Sequence, residues 1–408
     1  MADRVILHCD CNGFFASVET ALNPAYKNVP MAVCGSVEDR HGIVLAKNEL
    51  AKKYGIVTAE TVYSAKKKCP SLVIAEPHHK LYSEYSKRVN DIYKEYTDLI
   101  EPFGIDESWL DVTASRRLFG SGEEIANILR ERVKREVGIT ISVGVSFNKV
   151  FAKLGSDYKK PDATTVISRE NFKSIVYPLA PSEMLFVGKR TAEELTRMGI
   201  RTIGEVAALS PDLLRERFGK MGEMLSVYAR GEDKSPVTPI DEVRDAKSVG
   251  RGCTFRHDLV GYELSRVGID CLSEEIGTVL RKNRQKSRTV TLSVKDEYLK
   301  VTSRQKALDK PTDISAEIAD AAYSLLIENF KADKPIRTLT VTASSLVSSS
   351  SAEQIDIFAE IEEVDREKDR KREETIDKIW QKYGTASILR GAVMNNDIGV
   401  IDFKDTKD

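Results

Sequence analysis

The chain lacks any long hydrophobic run. No window approaches about 18 uninterrupted apolar residues, and the opening stretch from Met1 to Phe15 is broken by Asp3, Arg4, His8, Asp10 and Asn12. A membrane span and a signal peptide are therefore not expected. Cysteine is scarce, with six in 408 residues (Cys9, Cys11, Cys34, Cys69, Cys253, Cys271) and no C-x-x-C pair. That is too few for a disulfide scaffold, so the thiols are expected to be reduced, in the cytoplasm. Histidine is scarcer still, at five, and the His78/His79 pair has no nearby cysteine, which leaves no zinc-ligand spacing. Charge of one sign is missing too: 62 basic against 63 acidic residues give a net charge of -1, which argues against nucleic acid until the charge is read region by region. No internal repeat of about 20 to 50 residues is present.

What is present is segregated. Between Arg281 and Lys310 ten Lys/Arg face three acids, a balance of +7, whereas from Glu353 to Asp408 ten bases face fifteen acids, a balance of -5. The basic stretch overlaps alternating strands: Val290, Leu292 and Val294 alternate with Thr289, Thr291, Ser293 and Lys295, and Leu339 and Val341 with Thr338, Thr340 and Thr342. Period two with one apolar face predicts half-buried strands whose outer face carries hydroxyls and cations. No aromatic ladder interleaves the basic run, so base stacking on single strands is not the expected mode.

The first part of the chain mixes strands and helices. Val5 to His8 is an apolar run ending at Asp10, and a helix is predicted from Phe14 to Leu22, before Pro24. Ile100 to Phe103 and Trp109 to Val112 read as two strands joined by a tight turn at Gly104. Ile125, Ile128, Leu129, Val133 and Val137 repeat at helical spacing ahead of a strand from Ile139 to Val145. This order suggests an α+β, ferredoxin-like palm with the Met31 to Ser71 block inserted as a subdomain. Short glycine-punctuated helices run from Leu185 to Leu225. Six serines between Ser344 and Ser351 read as a flexible joint, and the charged run Asp365 to Glu374 as a solvated helix.

Chemistry concentrates on carboxylates. Asp10 ends the first strand, and Asp106 and Glu107 are adjacent at the hairpin. Neighbours on a regular strand point to opposite faces, so the pair shares a cation only if the turn redirects one of them, a freedom Gly104 offers. Three hard oxygen donors suit Mg²⁺ rather than zinc. Lys149 and Lys153, four apart, share a helix face that reads either as solvated surface or as a DNA contact.

The segments H-C-D-C-N-G-F-F-A-S-V-E at 8 to 19, G-I-D-E-S-W-L-D at 104 to 111 and S-V-G-V-S-F-N-K-V-F-A-K-L-G-S-D-Y-K-K-P at 142 to 161 resemble the three signature blocks of Y-family translesion DNA polymerases. The bacterial polymerase IV branch is the most similar, with features of the polymerase V catalytic subunit in the fingers. The resemblance implies a right-hand multidomain fold. Its parts are a palm (1–11 and 79–167), fingers (12–78), a helix-hairpin-helix thumb (168–235), a linker (236–246), an α/β little finger (247–346) and a tail (347–408). It implies template-directed, low-fidelity DNA synthesis with two Mg²⁺, held by Asp10, Asp106, Glu107 and the backbone carbonyl of Cys11.

Residue by residue, the resemblance makes Phe15 the steric gate against ribonucleotides, beside Phe14. It puts Lys160 and Lys52 on the incoming dNTP, and Leu45 and Ala59 over the nascent base pair. Gly188, Gly219 and Gly222 of the thumb, and Arg251, Arg256, Arg288 and Arg304 of the little finger, are expected on primer-template DNA. Gln354, Ile355, Ile357 and Phe358 resemble the peptide by which bacterial polymerases dock on the sliding clamp. The protein is expected to act as a monomer. The fingers depart from the family pattern, with Glu49 where a tyrosine usually stands and Lys52 in place of an arginine. That motivates the rival expectation of a catalytically weak accessory protein that binds primer-template or the clamp. A magnesium-dependent nuclease or cyclase sharing the palm leaves the thumb, the basic domain and the tail unexplained.

Overall fold

The first strand outruns its apolar run: β1 (Ile6–Cys11) is buried along its whole length although it carries His8 and Asp10. The computed structural model describes residues 3–38, 40–242, 245–350, 360–389, 391 and 398–399. Its contacts fall into two units, Met1–Gly35 with Ile43–Val243, and Ser36–Gly42 with Arg244–Asp408. No described helix is long and apolar enough to cross a membrane.

In the first unit α1 (Phe14–Leu22) follows β1, with the bounds expected from Pro24. A small sheet of β2 (Met31–Cys34), β3 (Val44–Lys47) and β4 (Val73–Ala75) carries α2 (Glu49–Lys53) and α3 (Val62–Lys68). The chain continues through α4 (His79–Lys94), β5 (Ile100–Pro102), β6 (Glu107–Asp111), α5 (Arg116–Phe119), α6 (Gly122–Glu136), β7 (Ile141–Ser146), α7 (Lys149–Tyr158) and β8 (Thr164–Ile167). The five strands order as β5-β6-β1-β7-β8, the ferredoxin-like palm predicted from the sequence. One sheet face is sealed by Leu7, Cys9, Cys11, Leu110 and Val143 against Val89, Ile92, Ile125, Leu129 and Val133 of α4 and α6. Five short helices complete this unit: α8 (Phe172–Val176), α9 (Lys189–Arg197), α10 (Ile203–Ala208), α11 (Pro211–Phe218) and α12 (Lys220–Ala229).

The second unit holds β9 (Ser248–Leu259), α13 (Tyr262–Lys282), β10 (Gln285–Asp296), β11 (Val301–Thr312), α14 (Ser315–Asn329) and β12 (Ile336–Ser348), with strand order β11-β10-β12-β9. Val290, Leu292, Leu339 and Val341 pack on Ile276 and Ile318 of the two helices, so Thr291 and Thr342, paired across β10 and β12, face the open side. The serine run is not a joint as far as Ser348. Ser344 pairs with both Thr289 and Ser248, and small hydroxyl side chains fit a ladder whose neighbours are already in place.

The charged tail helix also departs from expectation. In α15 (Glu360–Tyr383) the positions 366, 370, 373, 377 and 380 follow the 4-3-4-3 spacing of an apolar seam, but the first four are charged. Arg366 pairs with Glu317 at 2.6 Å, Arg370 with Asp313 at 2.9 Å, and Asp377 with Arg281 at 2.6 Å. Glu373 also pairs with Arg281 and accepts the Ser315 N–H at 2.9 Å, capping the start of α14 from another helix. Instead of a solvated rod, α15 is an ionic clasp on α13 and α14. Composition hides this because charge reads as exposure until its partners are known.

Candidate active site

Directly opposed residues of an antiparallel pair share a face. Asp10 lies opposite Glu107 and opposite Ser142, and His8 opposite Trp109 and Gly144, so these side chains line the sheet face that α7 covers. Helix and sheet come this close because position 144 is glycine: a Cβ there would sit 1.8 Å from the Ala152 carbonyl oxygen. α7 then delivers Lys149 to Glu101, Lys153 to Glu107 and Ser156 to His8. Asn148 starts the helix by accepting the Phe151 N–H at 2.8 Å.

Ligand atoms of Asp10, Glu107 and His8 lie within 4.8 Å of one another. Asp106 sits at the hairpin turn, where its carbonyl accepts the Cys11 N–H at 2.9 Å. Gly104 serves the turn by space rather than by an unusual dihedral, since a Cβ there would be 3.3 Å from Asp106 Oδ1 and 3.4 Å from Glu107 Cγ. Burial raises the Asp106 carboxyl above the ordinary range, and the charges of Asp10 and Glu107 push it further. Burial also raises Asp10, against the opposing pull of Lys160. Glu107 goes the other way, to about 2: burial opposes ionisation, but hydrogen bonds from His8 and Lys153 outweigh it. Asp10, Asp106 and Glu107 offer an all-oxygen donor set fit for hard divalent cations, and the charges of the other two raise the cost of ionising Asp106.

Lysines now hold these oxygens. Lys160 Nζ lies 2.7 Å from Asp10 Oδ2 and 2.7 Å from Asp157 Oδ1, and Lys153 Nζ lies 2.5 Å from Glu107 Oε2. Lys149 is buried against Glu101 at 2.7 Å with its ammonium over the Trp109 ring. The pair at 149 and 153 is thus not solvated surface: each lysine is held by a carboxylate. The sequence signal was the shared helix face; what it could not give was the carboxylate each would meet. His8 escaped the sequence reading altogether. Its Nδ1 lies 2.8 Å from Ser156 Oγ, which itself donates to the Lys153 carbonyl at 2.7 Å, and its Nε2 lies 3.2 Å from Glu107 Oε2.

Phe14 is buried in the core while Phe15 is half-buried and stacks on Tyr82, centroids 4.0 Å apart, with His79 edge-on. In α2 Lys52 is exposed and paired with Glu49 at 3.7 Å. Leu45 is half-buried, and Ala59, whose N–H donates to the Val44 carbonyl at 2.8 Å, has a left-handed φ of 69°.

The expected DNA contacts separate. Around Gly188, which precedes α9, and Gly219, with φ 59° ahead of α12, nothing would crowd a Cβ, but the Gly219 N–H donates to the Arg215 carbonyl at 2.8 Å, so of the two only Gly188 keeps an amide for a phosphate. Gly222 is a correction. It is buried against the Leu214 carbonyl, 1.8 Å from where a Cβ would lie, and its N–H donates to the Gly219 carbonyl, so it is a helix-packing position without an open amide. Two arginines are corrected as well. Arg251 lies opposite Val341 and Arg304 opposite Leu292, both inward residues, so the register puts them on the helix-bearing face. There Arg251 pairs with Glu275 at 3.0 Å and Arg304 donates to Asn329 Oδ1 at 3.2 Å. Arg256 alternates with buried Phe255 toward the open face, and Arg288 is exposed at a register shift between β10 and β11. Gln354, Ile355, Ile357 and Phe358 lie outside the described residues.

Comparison with known proteins places this geometry. Residues 9–157 match the impB/mucB/samB family, residues 246–357 its C-terminal domain, and residues 186–233 the thumb domain of DNA polymerase-iota. The chain is 46% identical to a DNA polymerase IV of Acetivibrio thermocellus, covering 96% of this chain and 98% of that one. It is 35% identical to DNA polymerase IV 2 of Bacillus subtilis, covering 96% and 95%. A solved Y-family DNA polymerase chimera, 24% identical, superposes with a TM-score of 0.75 over 84% of this chain and 99% of its own.

Proposed function

The chain belongs to the impB/mucB/samB family of Y-family DNA polymerases, and from that premise we propose how its own residues carry the reaction. It is a DNA-directed DNA polymerase of translesion synthesis, extending a primer on a template with release of pyrophosphate. The accessory reading is set aside, because relatives matched over nearly their whole length are named polymerases and the departures at Glu49 and Lys52 leave the carboxylates intact.

The observation that carries the proposal is the convergence of Asp10 and Glu107, with His8, at one edge of the palm sheet, where the charges of the two acids also raise the Asp106 carboxyl. Asp10, Asp106, Glu107 and the Cys11 carbonyl would hold two Mg²⁺. When bound, that pair supplies a lowered pKa for the primer 3′-hydroxyl and charge neutralisation at the α-phosphate. Lys153 and His8 orient Glu107. Lys160, resting on Asp10, is positioned to exchange that carboxylate for the triphosphate, and Lys52 adds a point charge. Phe15, braced by Tyr82, closes the space a ribose 2′-hydroxyl needs, and Leu45 and Ala59 roof the nascent pair.

On the DNA side, the backbone amide at Gly188, Arg256 and Arg288, and the hydroxyl-bearing sheet face contact phosphates without reading bases. The segment Gln354 to Phe358 docks on the sliding clamp, and the polymerase works as a monomer in the cytoplasm. The test is primer extension by the full chain with Mg²⁺ and four dNTPs on undamaged and abasic templates. Extension that stops on chelation is expected, and absence of incorporation on either template would overturn the proposal.

A further inference from the structure

The lysines of the site differ in one respect. Lys149, Lys153, Lys160 and Lys52 each rest on a carboxylate: Glu101, Glu107, Asp10 with Asp157, and Glu49. Lys47 does not. It is half-buried at the end of β3, its ammonium donates to the neutral Thr58 hydroxyl at 3.1 Å, and no described carboxylate lies within ion-pair distance. Burial, then the charge of Lys52, lowers its pKa, as befits a cation awaiting an anion.

Its backbone is fixed on two sides. Asn48 accepts the N–H groups of Met31 at 3.1 Å and Ala51 at 2.9 Å, locking the step from β3 into α2. On the other side the Lys47 carbonyl oxygen lies 3.0 Å from where a Gly13 Cβ would be, against the turn that starts α1. Lys47 therefore lines a cavity of about 700 Å³ together with Asn12, Gly13, Asn48, Glu49 and Pro161. Gly13 lies in the turn that follows Asp10 and Cys11, so the Lys47 backbone sits beside the chain segment that carries two of the proposed metal ligands.

We propose that Lys47 is the principal fingers residue holding the triphosphate of the incoming nucleotide, acting more strongly than Lys52, whose charge Glu49 already offsets. The inference rests on the polymerase reading and deepens it. A half-buried cation gains more from an anion than an exposed, paired one, because less water screens it.

The test uses the full chain. Lys47→Gln keeps the stem and removes the charge. It is expected to raise the apparent KM for dNTP about tenfold, equivalent to about 1.4 kcal/mol, with kcat within about threefold and primer-template affinity unchanged. Lys47→Arg should restore most of the KM, and Lys52→Gln should raise it less. A second readout needs neither DNA nor turnover: titration with inorganic tripolyphosphate should show about tenfold weaker binding to Lys47→Gln than to the native chain. Unchanged KM and tripolyphosphate affinity would overturn the proposal, as would an equal loss of primer-template affinity, which would assign Lys47 to the template strand. A native enzyme that failed to extend primers would instead defeat the polymerase reading, while the tripolyphosphate arm would still report on Lys47.

Discussion

Single residues carry the most specific expectations. Phe14 and Phe15 are indistinguishable in sequence except by resemblance, and burial separates them: Phe14 belongs to the core, whereas Phe15 leans on Tyr82, itself fixed by its hydroxyl donating to Glu19 at 2.5 Å. Phe15→Ala should therefore weaken discrimination against ribonucleotides by about 10 to 200-fold and leave the dNTP rate largely intact, measured by paired incorporation assays. Ala59 holds a left-handed φ of 69° with a Cβ that disfavours it. Ala59→Gly should raise unfolding free energy by about 1 kcal/mol, read by thermal denaturation. The carboxylates were legible in the sequence because Asp106 and Glu107, flanked by strand-forming residues, follow a second acid, Asp10, at a strand end, and all three fall in blocks that resemble the family's signatures. Their partners were not, because His8, Lys153 and Lys160 reach them only through the pairing of β1, β6 and β7 and the close seat of α7. Lys47 was invisible for a related reason, since only a contact map shows that a lysine has no acid beside it.

At the scale of elements, periodicity succeeded where one face is apolar and failed where charge replaced it. The alternation of Val290, Leu292 and Val294 gave the sheet and its buried face. It did not give the side on which Arg251 and Arg304 fall, which depends on their register against β12 and β10. In α15 the seam itself is charged, so an amphipathic helix read as a solvated one. Arg281, whose side chain is 7% exposed, faces both Glu373 and Asp377. Arg281→Met would leave two carboxylates uncompensated at a mostly buried interface. A loss of about 3 kcal/mol in stability is expected, with α15 becoming accessible in limited proteolysis. The double change Arg281→Met with Glu373→Gln should recover part of it, and a single variant as stable as the native chain would mean that the clasp is ornamental.

For the whole molecule, the clasp changes how the clamp should be tested. Truncation after Ser351 removes α15 along with Gln354 to Phe358 and strips Arg281 of its two carboxylate partners, so lost stimulation would confound docking with folding. Phe358→Ala avoids this. It should leave distributive synthesis on short primers unchanged and abolish stimulation by loaded clamp, since a tether raises effective concentration without altering the active site. Resemblance reached further at this scale than composition did: a net charge of -1 conceals a polymerase whose basic and acidic segments are separated along the chain. The central claim is that three carboxylates at the palm edge run the chemistry through bound divalent cations, and Asp106 isolates it best. No described cation pairs with the Asp106 carboxyl, and its contact with Cys11 is through the backbone, so Asp106→Asn removes one charge and orphans no other. In single-turnover incorporation with Mg²⁺, measured beside primer-template affinity on the same preparation, Asp106→Asn should slow nucleotide transfer by about 1,000-fold or more with DNA affinity within about threefold of native; near-native transfer by this variant would contradict the account.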